Sequence, residues 1–253
     1  MIAKICISGC YLLTVLFAPI YGLPMDTNGS RVIAQAREAR DRGDVQALQS
    51  IIASVQGKAS RGGQSYIRLA LFEDWLCEAA RVHQDNKLLK EAAEAGVAAA
   101  RKAAQIGPDS SQTHWLAGDM LGQLIPLVFA GGMRYGPQSN REVEKALQLD
   151  PKNANAYVTR AVAYYFSPAI FGGDKQKAVE FLHKAIELDP SSDAAATAHV
   201  WLARADLAQG RKREALQEIQ AALKIDPQRL LAQTVERQIE GTLKNDALDR
   251  SQR

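Results

Sequence analysis

Lys184-Ala185-Ile186-Glu187-Leu188-Asp189-Pro190 closes a helix, and the chain prints the phrase again elsewhere. Lys145-Ala146-Leu147-Gln148-Leu149-Asp150-Pro151 is a second copy, Ala222-Leu223-Lys224-Ile225-Asp226-Pro227 a third, and Lys102-Ala103-Ala104-Gln105-Ile106-Gly107-Pro108 a divergent fourth. The closing prolines at 108, 151, 190 and 227 are spaced 43, 39 and 37 residues apart. Self-similarity at such a period means a repeat array, in which each unit buries its apolar face only against its neighbours. Proline ends each unit because it lacks an N–H and pushes the residue before it out of helical conformation.

Small residues recur at fixed distances from those prolines: Gly210, Ala215 and Ala222 in the last copy, Ala178 and Ala185 in the one before, Val143 and Ala146 earlier still. Antiparallel helices approach closely only where such side chains face the partner. Trp201-Leu202-Ala203, Gln209-Gly210 and Ala215 through Pro227 resemble the tetratricopeptide repeat, a helix–turn–helix unit of about 34 residues. So do Tyr157, Ala161, Tyr164 and the run from Ala178 to Pro190. The likeness covers residues 111–227 closely and 28–108 loosely. It implies an all-α, right-handed solenoid of about five helix-turn-helix pairs plus a C-terminal capping helix.

The expected organisation is a signal peptide or membrane anchor over 1–24, degenerate helical repeats over 25–108, the repeat array with its capping helix over 109–243, and a polar tail over 244–253. Within the third unit, helix 112–130 should be kinked at Pro126, and a loop from Gly131 to Ser139 should lead into a short helix over 140–149. Lys4 followed by the apolar run Ile5–Leu23 reads as an export signal, with cleavage near Gly22 or retention as an anchor. Ile7-Ser8-Gly9-Cys10 spells a lipoprotein box, but most of the apolar stretch follows the cysteine instead of preceding it. The expected location is therefore the periplasm, free or membrane-anchored. With that segment removed, Cys77 is the one thiol left, too few for a disulfide framework, and it reads as a small core residue.

Of the 253 residues, 47% are hydrophobic, which suits a globular chain; 31 basic and 28 acidic side chains are interspersed without a basic block, which argues against nucleic acid as a partner. His83, His114, His183 and His199 lack metal-pair spacing, and no phosphate loop or nucleophile elbow occurs. The expectation is no enzyme, no cofactor and no metal.

Two insertions share one pattern. Pro126-Leu127-Val128-Phe129-Ala130-Gly131-Gly132 and Pro168-Ala169-Ile170-Phe171-Gly172-Gly173 both fall between the first and second helix of a unit. Stacked repeats would bring Pro126, Phe129, Pro168 and Phe171 to one edge as an apolar lip, unless each insertion tucks back onto its own helix pair. The Phe-Gly-Gly-Asp turn is similar to exported repeat proteins that accompany tripartite TRAP-type solute transporters.

In tetratricopeptide arrays the first helices line a concave groove. Carried onto this chain, the resemblance places Trp115 and Asp119 of the third unit, Val158, Val162 and Tyr165 of the fourth, and Val200 and Arg204 of the fifth on that lining. Arg204 alone matches the family's clamp for peptide carboxylates, so no such clamp is expected. Arg160 and Asp206 take packing positions and are expected to pair between units. The function implied is a non-catalytic scaffold binding a protein or peptide. The alternatives are binding or delivery of a small apolar solute through the lip, and a structural subunit of an envelope complex.

Overall fold

The computed structural model describes residues 27–57 and 62–251. The signal-like segment, Cys10 and residues 58–61 lie outside them. The described residues form eleven α-helices and no strand: α1 (Thr27–Asp41), α2 (Val45–Gln56), α3 (Gly63–Val82), α4 (Asn86–Ile106), α5 (Ser111–Leu124), α6 (Gly131–Leu149), α7 (Ala154–Phe166), α8 (Lys175–Leu188), α9 (Asp193–Ala208), α10 (Lys212–Ile225) and α11 (Leu230–Ser251). They are five helix hairpins and a final single helix, a tetratricopeptide-type solenoid. Among the described residues no helix is long and apolar enough to cross a membrane.

Short polar side chains start the helices. Asp44, Asp85, Ser110, Asn153, Asp174 and Ser192 each accept a hydrogen bond from an N–H of the following first turn. Each cap is worth about 1 kcal/mol. The repeated phrase ends them. Asp150, Asp189 and Asp226 leave the helix with ψ of 98°, 91° and 88°, the extended conformation that the next proline imposes.

The phrase's small residues sit where helices touch. Ala146, Ala161, Ala178, Ala185, Ala215 and Ala222 are all buried. Gly118 shows how close the approach is: a Cβ there would lie 2.7 Å from Val143 Cγ2 on α6. Within each hairpin the two helices pack together, and α4 against α5, α8 against α9 and α10 against α11 join successive units.

The array does not remain an open rod. Helix α11 packs on α9 and α10 but also on α3 and α1, and Val82 at the end of α3 joins the apolar cluster of α9, α10 and α11. The solenoid curls until its first units meet its last.

Three local expectations change. Helix α5 stops at Leu124 and a 3-10 turn follows over Ile125–Leu127, because Pro126 cannot continue the helix ladder. Helix α6 begins at Gly131, so the expected loop is helical even with Pro137 inside it. Helix α11 runs to Ser251, past the expected end near Leu243.

Candidate functional site

The first helices of the units, α1, α3, α5, α7 and α9, together with α11, form the inner side of the curl. Helix α3 sets its character. Asp74, Glu78 and Arg81 are spaced four and three residues apart, so they share one face of that helix. On this face the side chains form two hydrogen-bonded networks.

The first network closes the molecule. Arg40 of α1 is buried and donates to Asp41 at 2.8 Å, to Asp193 at the start of α9 at 2.6 Å, and to Asp226 after α10 at 3.0 Å. Its guanidinium also lies 5.2 Å from the Trp75 ring centre. Arg229, before α11, donates to both carboxylate oxygens of Glu78, at 2.8 Å through Nε, and to Thr197 Oγ1 at 3.0 Å. Burial alone would lower the Arg40 pKa, but the carboxylates of Glu78 and Asp193 more than offset it and raise it. Burial would likewise raise Glu78 and Asp193, yet Arg229 beside the first and Arg40 beside the second hold both below the ordinary carboxylate range.

The second network joins α3, α5 and α7. Arg81 donates to Gln123 Oε1 at 2.9 Å, and the Gln123 amide donates to Asp74 at 3.0 Å and Asp119 at 2.8 Å. Thr159 Oγ1 donates to Asp119 at 2.6 Å and accepts from the Trp115 ring N–H at 3.2 Å. Burial, then the neighbouring Asp119, push Asp74 well above its ordinary value. Among the described residues, no buried side-chain polar atom lacks a hydrogen-bond partner. These groups act as fasteners.

The residues expected on the groove divide into two sets. Trp115, Val158 and Val200 are buried. Trp115 is tied to Thr159, Val158 packs among Ala161, Leu182 and Leu202, and Val200 packs with Ala203 and Ile219. Asp119, Val162, Tyr165 and Arg204 stay half-buried. Lys175 Nζ lies 5.5 Å from the Tyr165 ring centre, and the Arg204 guanidinium lies 4.9 Å from that of Trp201. Arg204 has no carboxylate partner among the described residues; burial and then Arg81 push its pKa down to about 10.

The expected Arg160–Asp206 pair does not form. Arg160 donates to Asn140 on α6 at 3.3 Å and covers Tyr164, while Asp206 accepts from Arg211 in its own turn. Cys77 is in the core, as its surroundings implied, and burial raises its pKa.

Sequence reasoning missed Arg40, Glu78, Asp193 and Arg229. The shared face of Asp74, Glu78 and Arg81 was the available signal; the partners 151 and 153 residues away had none. No group of three or more His, Cys, Asp or Glu among the described residues could hold a metal ion.

At the lip, both insertions project. Pro126 and Pro168 are exposed, and Phe129 and Phe171 are 99% and 72% exposed. Neither ring tucks back onto its own helix pair.

The sequence profile of the tetratricopeptide repeat matches residues 173–239. No curated protein matches the chain. Among solved structures, the chain is similar to TTC0263, a thermophilic TPR protein of Thermus thermophilus, with a TM-score of 0.53 and 18% identity over 84% of this chain and 95% of that one. It is also similar to YrrB, described as a TPR protein with an unusual peptide-binding site, with a TM-score of 0.41 and 14% identity over 83% and 97% of the two chains. A third is the HusA haemophore of Porphyromonas gingivalis, with a TM-score of 0.45 and 22% identity over 76% and 93%.

Proposed function

We propose, from the tetratricopeptide-repeat profile over residues 173–239 and the solenoid fold, that this chain is a non-catalytic scaffold that holds a protein or peptide partner at the cell envelope. The observation that carries this reading is the half-open surface between α7 and α9. Helix α7 packs on α9; Val162 and Tyr165 of α7 and Arg204 of α9 are half-buried, and Arg204 has no carboxylate partner among the described residues. An apolar and aromatic patch next to an unpaired arginine suits an extended segment that offers an apolar side chain and an acidic group. Asp119 of α5 is bound to Thr159 and Gln123.

Export rests on the sequence of residues 1–24, where a single lysine precedes an apolar run. The solute reading needed an enclosed apolar cavity beside Phe129 and Phe171; both rings project outward instead, which favours the scaffold.

A photo-crosslinking residue in place of Val162 or Tyr165 tests this in cells. The expected result is a discrete protein adduct from both positions and none from Lys184 on the outer helix α8, with the protein in the envelope fraction. Absence of any adduct from the inner positions would overturn the reading.

A further inference from the structure

We propose that the lip is a contact site for an anionic lipid surface, bordering at Tyr165 the face proposed for the protein partner. Helices α5, α7 and α9 pack side by side, so their C-terminal ends share one edge, and both insertions follow such ends. His83 and Gly43, 2.8 Å apart, put the ends of α3 and α1 on that edge too.

The two insertions and the helix ends flanking them present large apolar side chains as separate tips. Phe129 is 99% exposed, Ile170 85%, Met133 82%, Phe171 72% and Phe166 65%. Exposure that complete means convex protrusions, with no groove that a peptide could lie in. Protrusions of this kind enter the acyl boundary of a bilayer, which needs no matching pocket.

The charges flanking the two insertions complement an acidic surface; of the other acids on this edge, Asp44 and Asp85 cap helices and Asp206 pairs with Arg211. Residues 126–141 carry Arg134 and Arg141 and no acid; residues 160–177 carry Arg160, Lys175 and Lys177 against Asp174 alone. That aspartate is already engaged, capping α8 through the N–H groups of Gln176 and Lys177. Arg134, Arg160 and Lys175 have no carboxylate partner among the described residues. Each lies over a tyrosine ring instead: Arg134 over Tyr135, Arg160 over Tyr164 and Lys175 over Tyr165, at 5.0, 5.3 and 5.5 Å. Phe166 in turn meets Trp201 edge-on at 5.7 Å. Apolar tips, a layer of tyrosine and tryptophan behind them and unpaired cations among those rings form the composition of a membrane interface.

The test is position-specific, so that attachment through the N-terminal segment cannot imitate it. The full chain carrying Phe129→Trp or Phe171→Trp is mixed with vesicles of phosphatidylcholine, with or without phosphatidylglycerol, whose acyl chains are brominated. Both sites are exposed, so neither variant removes packing. The expected result is a blue shift and bromine quenching of the added tryptophan at both positions. Partitioning should be at least about tenfold stronger when the acidic lipid is present, from several cations near the surface. Leu149→Trp, on the opposite edge, should stay unquenched. Unquenched tryptophan at 129 and 171 would overturn the proposal, whether or not the chain sediments with the vesicles. Equal partitioning onto neutral vesicles would overturn it as well. Failure of this test leaves crosslinking from Val162 and Tyr165 untouched.

Discussion

Glu73 separates two ways of placing a carboxyl group inside a helical array. Asp193 and Glu78 are surrounded by guanidinium groups, and their pKa values fall. Glu73 faces α4, where its Cβ lies 3.1 Å from the point that a Cβ on Gly96 would occupy. No cation lies beside it among the described residues, and burial raises its pKa from 4.5 to about 7. The sign follows from proton linkage. Between those two values the folded state binds more protons than the unfolded one, so stability falls as pH rises through that window. The span corresponds to about 3 kcal/mol at most. Glu73→Gln is therefore expected to flatten the dependence and to be the more stable protein at pH 8. Urea unfolding at pH 5 and pH 8 measures it, and equal slopes in both proteins would contradict the assignment. The sequence hid this carboxyl because Glu73 and Asp74 are neighbours that point to different sides of α3. Only packing shows which of them lacks a counter-ion.

At the scale of elements the repeat was legible and the insertions were half so. Ala178, Ala185, Ala215 and Ala222 are buried because their distance from the closing proline fixes which side of the second helix they occupy. The insertions declared their likeness in sequence, and the backbone now explains it. Phe129 is followed by Ala130 at φ 54°, and Phe171 by Gly172 at φ 85°, both left-handed. The next residue is Gly131 or Gly173, and a Cβ there would sit 2.2 Å from the Ile125 carbonyl oxygen or 1.8 Å from that of Ser167, in each case six residues earlier. The same turn is thus built twice, and it drives the phenylalanine outward because the inner side is filled by backbone. Gly131→Ala or Gly173→Ala should cost about 1–3 kcal/mol, since only backbone can give way. Gly132, already within α6 and with nothing within 4 Å of its missing Cβ, makes the control. Gly132→Ala should be neutral or stabilise by up to about 1 kcal/mol through helix propensity. Thermal melts of the three variants decide it, and matching losses at 131 and 132 would show that the close approach is not what matters. What could not be read was where helices end around these turns. Pro126 reads as a kink within one helix, but a left-handed residue four positions on starts a new one.

The whole molecule is governed by closure, which no local signal announces. A small rotation at each unit accumulates over five hairpins, and its sum decides whether the ends meet. The family register therefore placed Trp115, Val158 and Val200 on an open lining, whereas tight curvature and inter-unit packing bury them. The closure is held by Arg40 with Asp193 and Asp226, and by Arg229 with Glu78. Removing one partner of such a buried pair leaves a charge without compensation and typically costs about 3–5 kcal/mol. Arg229→Ala should fall in that range. Acid provides a second route to the same state without a mutation. Both Glu78 and Asp193 have depressed folded pKa values, so their pairs stabilise the closed form fully above the unfolded values of about 4. That stability is lost as pH falls through the lower folded values. Each hairpin's own core is apolar and does not titrate there, while protonating Glu73 adds no penalty in acid. The molecule should then open at its ends before its helices melt. Below about pH 4, small-angle scattering should show a larger radius of gyration while far-ultraviolet circular dichroism stays near its neutral-pH value. Arg229→Ala should already show the larger radius at pH 7. If radius and helicity change together in both experiments, the pairs contribute only to overall folding and the ring has no separate latch.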